Sequence, residues 1–568
     1  MLTQVHDSDI MKSIAGLPGP AQSLPKEQNL VMSFYRGSAG IVILVLVLVP
    51  TCPTIGLASP ISAAGITGGK LVYGLTLSPS GIDPHVNASS ELGIPLSSVY
   101  DPLVWRKPDG SFAPGLAKSW EISSDGLTYT FSLRDDVTFH DGTKFNAEAV
   151  KVNLDRIVDP TTKSQKAAIM LGPYDHTEII DEYTVRIHMK ESFAPLLDSL
   201  SQVYIAMASP AALKQWGPDY QMHQVGTGPF QFKEYVPGDH LTLVAYPAYN
   251  WAPSFADHQG RAHLDEIEFR FFLEPAARAV ALTGNEAQVM GEIPPQDADR
   301  LKANPAVELV PVPIPGQSLQ MFINTQKSPT DDLKLRQALL YATDRQTIVN
   351  TIFRNYSPVA YGPLSANTPG FDPGLVGSYP FDPARAKQLL EEAGWTDAKG
   401  NGIREKNGQP LHLDGYLMTW GFLPEIGALL QAQLRAVGID LQNQTVAYPA
   451  ALDAARRGKH NLIPFNLSGT DPDILRSFFD SQNALAGFNW AKYANPTLDG
   501  WLSESARTLN GEKRNSIYAQ VQEQIMDQAL IIPIRDYVNI NAKSAKVKNL
   551  QYDTSGWFPF LYDVYLEP

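Results

Sequence analysis

Thiols, long apolar runs and blocks of one charge are what this chain has least of. Cys52 is the only cysteine among 568 residues, so there is no disulfide framework and no paired-cysteine metal or redox motif. The longest apolar run, "IVILVLVLV" at 41–49, is half of the ~20 residues a bilayer-crossing helix needs. No block of lysine and arginine interrupts a net charge of −14, which argues against a nucleic-acid surface. Internal repeats and low-complexity tracts are absent too. What is left, 44% hydrophobic and 18% charged residues, is ordinary globular material. Its length calls for two or three domains rather than a single core.

The short apolar run has a reading of its own. Arg36 precedes it, Pro50 follows it, and Ser62-Ala63-Ala64 offers a small-residue cleavage site. Residues 32–64 are therefore expected to be a secretory signal peptide, with Met32 the start and 1–31 an over-extended N-terminus. Cleavage would remove three acids (Asp7, Asp9, Glu27) and three bases (Lys12, Lys26, Arg36), leaving the mature charge at −14. Cys52 would go with it, and a chain exported without disulfides must rely on the size of its core. A lipid anchor on Cys52 is the lesser alternative, because Pro50 and Thr51 stand where a lipobox carries small residues. The expected location is the periplasm.

Strands come first in the mature chain. "KLVYGLTL" opens it, "LTYTFSLR" alternates Tyr129, Phe131 and Leu133 with Thr128, Thr130 and Ser132, and "TVRIHM" repeats the period with Val185, Ile187 and Met189. In "EIEFRFF" the spacing predicts Ile267, Phe269 and Phe271 on one face. Helices follow: Leu335, Ala338, Leu339 and Ala342 fall at helical spacing, and "FDPARAKQLLEEAGW" supplies Asp382 as N-cap, Pro383 at the first position and Gly394 as the stop. "GFLPEIGALLQAQLRAVGIDL" and "GEKRNSIYAQVQEQIMDQA" read as further helices, the second running into a strand-like "LIIPIRDYVNINA". Strands alternating with helices predict an α/β fold.

One dipeptide invites a catalytic reading. "VTFHDGTKFNAEAVKVNLDR" places His140-Asp141 between an expected strand and a helix capped by Asn146. A metal-dependent hydrolase would need further ligands, and neither His176 nor His188 pairs with a helical carboxylate at ligand spacing. An isolated His-Asp pair is a weak signal, and a turn of the fold is the better expectation. No nucleophile elbow and no zinc-protease motif occurs elsewhere. Gly226-Thr227-Gly228 lacks the Lys-Ser/Thr of a phosphate loop, and Pro229 breaks any helix after it. Catalytic residues, cofactors and metal ligands are accordingly not assigned. An exported hydrolase built around His140 and Asp141 stays as the enzyme-class alternative.

From Gly115 to Arg156 the sequence "GLAKSWEISSDGLTYTFSLRDDVTFHDGTKFNAEAVKVNLDR" resembles a signature of the family-5 extracellular solute-binding proteins of ABC transporters, the peptide- and nickel-type binders. Four further blocks agree in the family's order: "VGTGPFQFKEYVPGDHLTLVAYPAYNW", "MFINTQKSPTDDLKLRQALLYATDRQTIV", "FDPARAKQLLEEAGW" and "GTDPDILRSFF". The likeness covers Leu71 to the C-terminus. It implies a two-lobed periplasmic-binding-protein type 2 fold, α/β, with an added mainly β subdomain. The expected division is lobe I from 65–105, 225–312 and 530–568, the β-rich subdomain 106–224, and lobe II 313–529. It also implies that the lobes close on a small-molecule or peptide ligand by a hinge and present it to ABC permease subunits in the membrane. A monomer without nucleic-acid partners is expected, and a ligand-presenting sensor is a further alternative.

Ligand identity turns on what the second lobe lacks. Dipeptide binders resembling this chain carry an Asp where Ser468 stands and an Arg where Leu417 stands. A buried ligand charge without a counter-charge is costly, so a small zwitterionic peptide is disfavoured there. The residues left around those positions, Trp420, Phe422, Asn466, Ser468, Asn489 and Trp490, are the expected ligand-binding set, suited to a neutral or extended ligand. Asp471 and Asp473, flanking Pro472, fit a turn or a helix N-cap better than a cation site. No histidine cluster in these loops favours free nickel.

Overall fold

A computed structural model of the chain describes residues 68–79, 81–485 and 487–568. The expected signal peptide, its apolar run and Cys52 lie outside the described residues. Among those described, no helix is long and apolar enough to cross a membrane.

Two long strands, Val307–Ile323 and Ile531–Ser544, run antiparallel through the middle of a ten-stranded sheet. Beyond one half of them stand Val289–Met290, Lys70–Leu75 and Glu266–Phe271, then the antiparallel His240–Ala245 and Phe230–Val236. Beyond the other half stand Leu462–Phe465, His412–Leu417 and Asp440–Thr445, joined in parallel. Pairing of the long strands is broken between Ile314 and Leu319. Pro315 cannot donate to a ladder there. Gly316 has a φ of +122° and is pressed by the 467–469 segment, where an added Cβ would lie 2.5 Å from the Gly469 nitrogen. The two α/β halves thus join at a pair of strands interrupted at one point.

A separate four-stranded antiparallel sheet, ordered Ala117–Ile122, Thr128–Leu133, Thr184–Met189 and Tyr174–Asp181, shares its core with the first half. The period-two reading holds here: Tyr129, Phe131, Leu133, Val185, Ile187 and Met189 are all buried. In Glu266–Phe271 it holds in part. Ile267 and Phe269 are buried and Phe271 is half-buried, while Glu268 is also buried, paired with Lys70 from the neighbouring strand. The second half has its own core, into which Leu333–Ala342, Pro383–Glu392, Leu423–Arg435 and Gly511–Asp527 pack their apolar stripes. Asp382 caps Pro383–Glu392 by accepting from the Arg385 N–H, and Gly394 beyond its end has a φ of +87°. The strand expected before His140 is reduced to a single bridge between Thr138 and Lys144. Asn146 caps the helix Ala147–Val158 as expected, accepting from the Ala149 N–H.

Candidate functional site

His140 and Asp141 are occupied by the backbone around them. The Gly226 N–H donates to Nδ1 of His140 at 3.3 Å, which leaves Nε2–H to donate to the Gly228 carbonyl at 2.9 Å. Burial lowers His140 to about 4 against the pull of that carbonyl and of Asp141, so the ring is neutral and both its nitrogens are engaged. Asp141 accepts from the Thr143 N–H and hydroxyl and from the Ser209 hydroxyl. Gly226 and Gly228 are needed for close approach: a Cβ on either would come within 2.1 Å and 2.6 Å of the Val99 and Ser98 carbonyl oxygens. The pair and the glycines are two sides of one backbone joint.

Open space lies instead between the halves of the molecule. The larger cavity, about 480 Å³, is walled by Thr76, Arg278 and Glu292 from the first half and by Trp420, Phe422 and Glu425 from the second. This is within the size range of small-ligand pockets. Phe422 opens the helix Leu423–Arg435 in the left-handed region at φ +62° and sets its ring edge-on to Phe353 at 5.6 Å. The Trp420 indole N–H is buried with no acceptor among the described residues.

A second cavity of about 250 Å³ has Lys166, Asp198, Tyr204 and Trp557 on one wall and Ser468, Thr470, Asp471 and Asp473 on the other. Trp557 also lines a water-sized recess of about 10 Å³ that shares Thr76 and Glu292 with the large cavity. Glu91 stands in that recess with one carboxylate oxygen bonded by the Thr76 hydroxyl at 2.8 Å and the other without a partner among the described residues. Burial, and then the nearby Glu292, push Glu91 up to about 8.

Contacts across the cleft hold the halves together. The Thr470 hydroxyl reaches both oxygens of Asp198, at 2.7 and 2.8 Å, and Asp198 is paired in turn with Arg106. Farther out the Ala194 N–H donates to the Ala506 carbonyl at 2.8 Å, and Arg507 pairs with Glu191. At the interrupted long strands Arg535 is fully buried, donating to the Ser357 hydroxyl at 2.7 Å with its guanidinium 3.9 Å from the Phe353 ring centroid.

The six expected ligand residues are distributed unevenly over this geometry. Trp420 and Phe422 meet on the large cavity and Ser468 on the second. Asn466 is buried, its side-chain oxygen lacking a partner among the described residues. Asn489 and Trp490 line neither cavity. Trp490 is fully buried against Phe465, centroids 4.6 Å apart, and the Asn489 amide ties the carbonyls of Asp480 and Tyr493. Their place in the second core follows from packing that amino-acid type alone does not reveal. Leu417 is core as well. Asp471 and Asp473 are held by arginines, Asp471 by a fork from Arg514 at 2.7 Å twice and Asp473 by Arg476 at 2.6 Å, and no side-chain cap is made at Ile474–Phe479. Glu91, Lys166, Arg278, Glu292 and Trp557 went unmarked in the sequence, because they come from four distant stretches with no local motif.

A two-walled cleft between α/β halves joined by a strand pair, with an appended β sheet, defines a solute-binding protein of the two-lobed periplasmic type. The chain belongs to the bacterial extracellular solute-binding proteins, family 5, whose family model matches residues 111–485. It is 31% identical over 505 residues to the glutathione-binding protein GsiB of Salmonella typhi, covering 87% of this chain and 94% of that protein. In structure it is similar to NikA from Brucella suis in complex with Fe(III)-EDTA, with a TM-score of 0.78 and 25% identity over 88% of this chain and all of the other. The ABC transporter substrate-binding protein CtaP of Listeria monocytogenes matches with a TM-score of 0.76 and 26% identity over 88% of this chain and 99% of the other. The protein is thus a substrate-binding component of an ABC importer.

Proposed function

We propose that the protein captures a small peptide-like solute in the periplasm, as a monomer, and hands it to the permease without making or breaking a bond. The observation that carries this reading is the cavity of about 480 Å³ between the halves, with the aromatic faces of Trp420 and Phe422 on one side and polar Thr76, Arg278 and Glu292 on the other. Aromatic faces beside a few polar groups suit a peptide-sized organic molecule. The name of the glutathione-binding relative points to the same class. A hydrolytic role for His140 is disfavoured by the backbone bonds on both its ring nitrogens.

Thermal denaturation of the protein starting at Gly65, with glutathione, di- to hexapeptides, oligosaccharides, and nickel with and without chelators, tests it. A ligand at ~100 times its Kd adds about 2.7 kcal/mol of stability. The expected result is a rise in Tm with glutathione or other short peptides, abolished by Trp420→Ala. A response confined to sugars or to nickel complexes overturns the peptide-like class.

A further inference from the structure

Around the cavity of about 250 Å³ each carboxylate has its own arginine. Asp471 is forked by Arg514, Asp473 is bound by Arg476, and Asp198 is paired with Arg106 while receiving the Thr470 hydroxyl. Arg514 outweighs the effect of burial and keeps Asp471 below its ordinary value. Asp553 lies beside this wall but does not line the cavity, and it accepts from the Ser555 hydroxyl and the Phe558 N–H.

Lys166 lines the same cavity and makes no ion pair among the described residues. Its ammonium instead sits 3.8 Å from the centroid of the Tyr204 ring. The Tyr204 hydroxyl is already spent, donating to the Ser89 carbonyl at 3.0 Å. Burial lowers Lys166 to about 8. Trp557, 5% exposed, contributes part of its ring to the wall, while its indole N–H is buried. A single unpaired ammonium thus faces a cavity whose lining carboxylates, Asp198, Asp471 and Asp473, each have an arginine of their own. On the opposite wall stands Ser468, and Leu417 is sealed in the core, so the second lobe offers no cation at either of those positions.

Granted the solute-binding reading of the cleft, we propose that Lys166 is the anchor for a carboxylate of the bound solute. The charge that Leu417 cannot provide comes from the facing wall, and the ligand spans the cleft with its carboxylate in the second cavity. An ammonium–carboxylate contact in a closed cleft is strengthened by the exclusion of water. A zwitterionic peptide disfavoured by the second lobe alone is then accommodated.

Isothermal titration of glutathione and of trialanine, each as the free acid and with every carboxylate converted to the amide, against wild type, Lys166→Met and Lys166→Arg tests this. Lys166→Met removes the charge and keeps the length, and the arginine variant serves as the folding and charge control. For whichever peptide binds, the free acid is expected to bind wild type roughly 10–100-fold more tightly than the amide. Lys166→Met should erase that difference and Lys166→Arg should retain most of it. Equal affinity for acid and amide, or an acid preference that survives in Lys166→Met, overturns the anchor while leaving solute binding intact. Binding of neither peptide overturns the peptide-like reading itself, and the anchor with it.

Discussion

Glu91 shows what a single buried group can do to this protein. Its carboxyl is 4% exposed, bonded on one side by Thr76, and faced by Glu292 and the guanidinium of Arg278. A carboxyl raised from 4.5 to about 8 favours the fold while protonated. Its stabilising contribution is full below pH 4.5 and is lost as the pH rises toward 8, a loss on the order of 5 kcal/mol. Gln is isosteric with the protonated acid and does not titrate. Glu91→Gln is therefore expected to match wild type near pH 4.5 and to exceed it increasingly up to pH 8.5, read from urea midpoints at each pH. An unchanged difference between the two proteins across that range would show that Glu91 keeps an ordinary acidity in the fold. Asp101 shows the same preference: burial raises it to about 6 although Trp251, Thr227 and Tyr249 all donate to it.

At the scale of an element, the stretch from Val225 to Phe230 has no regular structure of its own until Phe230 begins a strand, yet it fixes two parts of the chain to each other. It receives His140 from the segment before Ala147–Val158 and lies against the end of Ser90–Leu96 through the Ser98 and Val99 carbonyls. Gly226→Ala would drive a Cβ into the Val99 carbonyl oxygen at 2.1 Å, a backbone clash that no rotamer relieves. It is expected to cost about 2–3 kcal/mol. Gly142→Ala, where φ is +81° but nothing lies within 4 Å, should cost only about 1 kcal/mol. Denaturation midpoints of the two variants check the order, and a larger loss at Gly142 would contradict it. The sequence disclosed the turn at Asp141-Gly142 and the Asn146 cap, since both are local. It did not disclose why Gly226 and Gly228 are glycines, because their neighbours lie well over a hundred residues away.

For the whole molecule the energetic question is how closure is held. Thr470 and Asp198 join the two walls with a charge-assisted bond beside the cavities. Thr470→Val keeps the shape of the side chain and removes that bond. It is expected to weaken ligand binding roughly tenfold, mostly through faster dissociation, because the closed state loses a contact that the open state never had. Stopped-flow dissociation with the ligand found in the thermal screen, together with the radius of gyration in solution, measures it. A dissociation rate equal to wild type would mean that closure is held elsewhere, at Arg507–Glu191 or at the Ala194–Ala506 bond.

The sequence by itself determined the local elements and the kind of protein. Period-two strands such as Thr128–Leu133, capped helices such as Pro383–Glu392 and the turn after His140 are written in neighbouring residues, and a long run of ordered blocks carries the family likeness. It also directed attention to Trp420, Phe422 and Ser468, which line the cleft cavities. Tertiary structure alone decided which aromatics face open space and which fill the core. Trp420 and Trp490 are the same residue type, but only the second is enclosed by Phe322, Phe465 and Phe488. It alone decided the charge of the cleft as well. Whether Asp471 or Lys166 carries unbalanced charge depends on Arg514, 43 residues away from the first, and on the absence of any such partner for the second among the described residues. Coulombic balance is a property of distance in space, and sequence separation does not encode it.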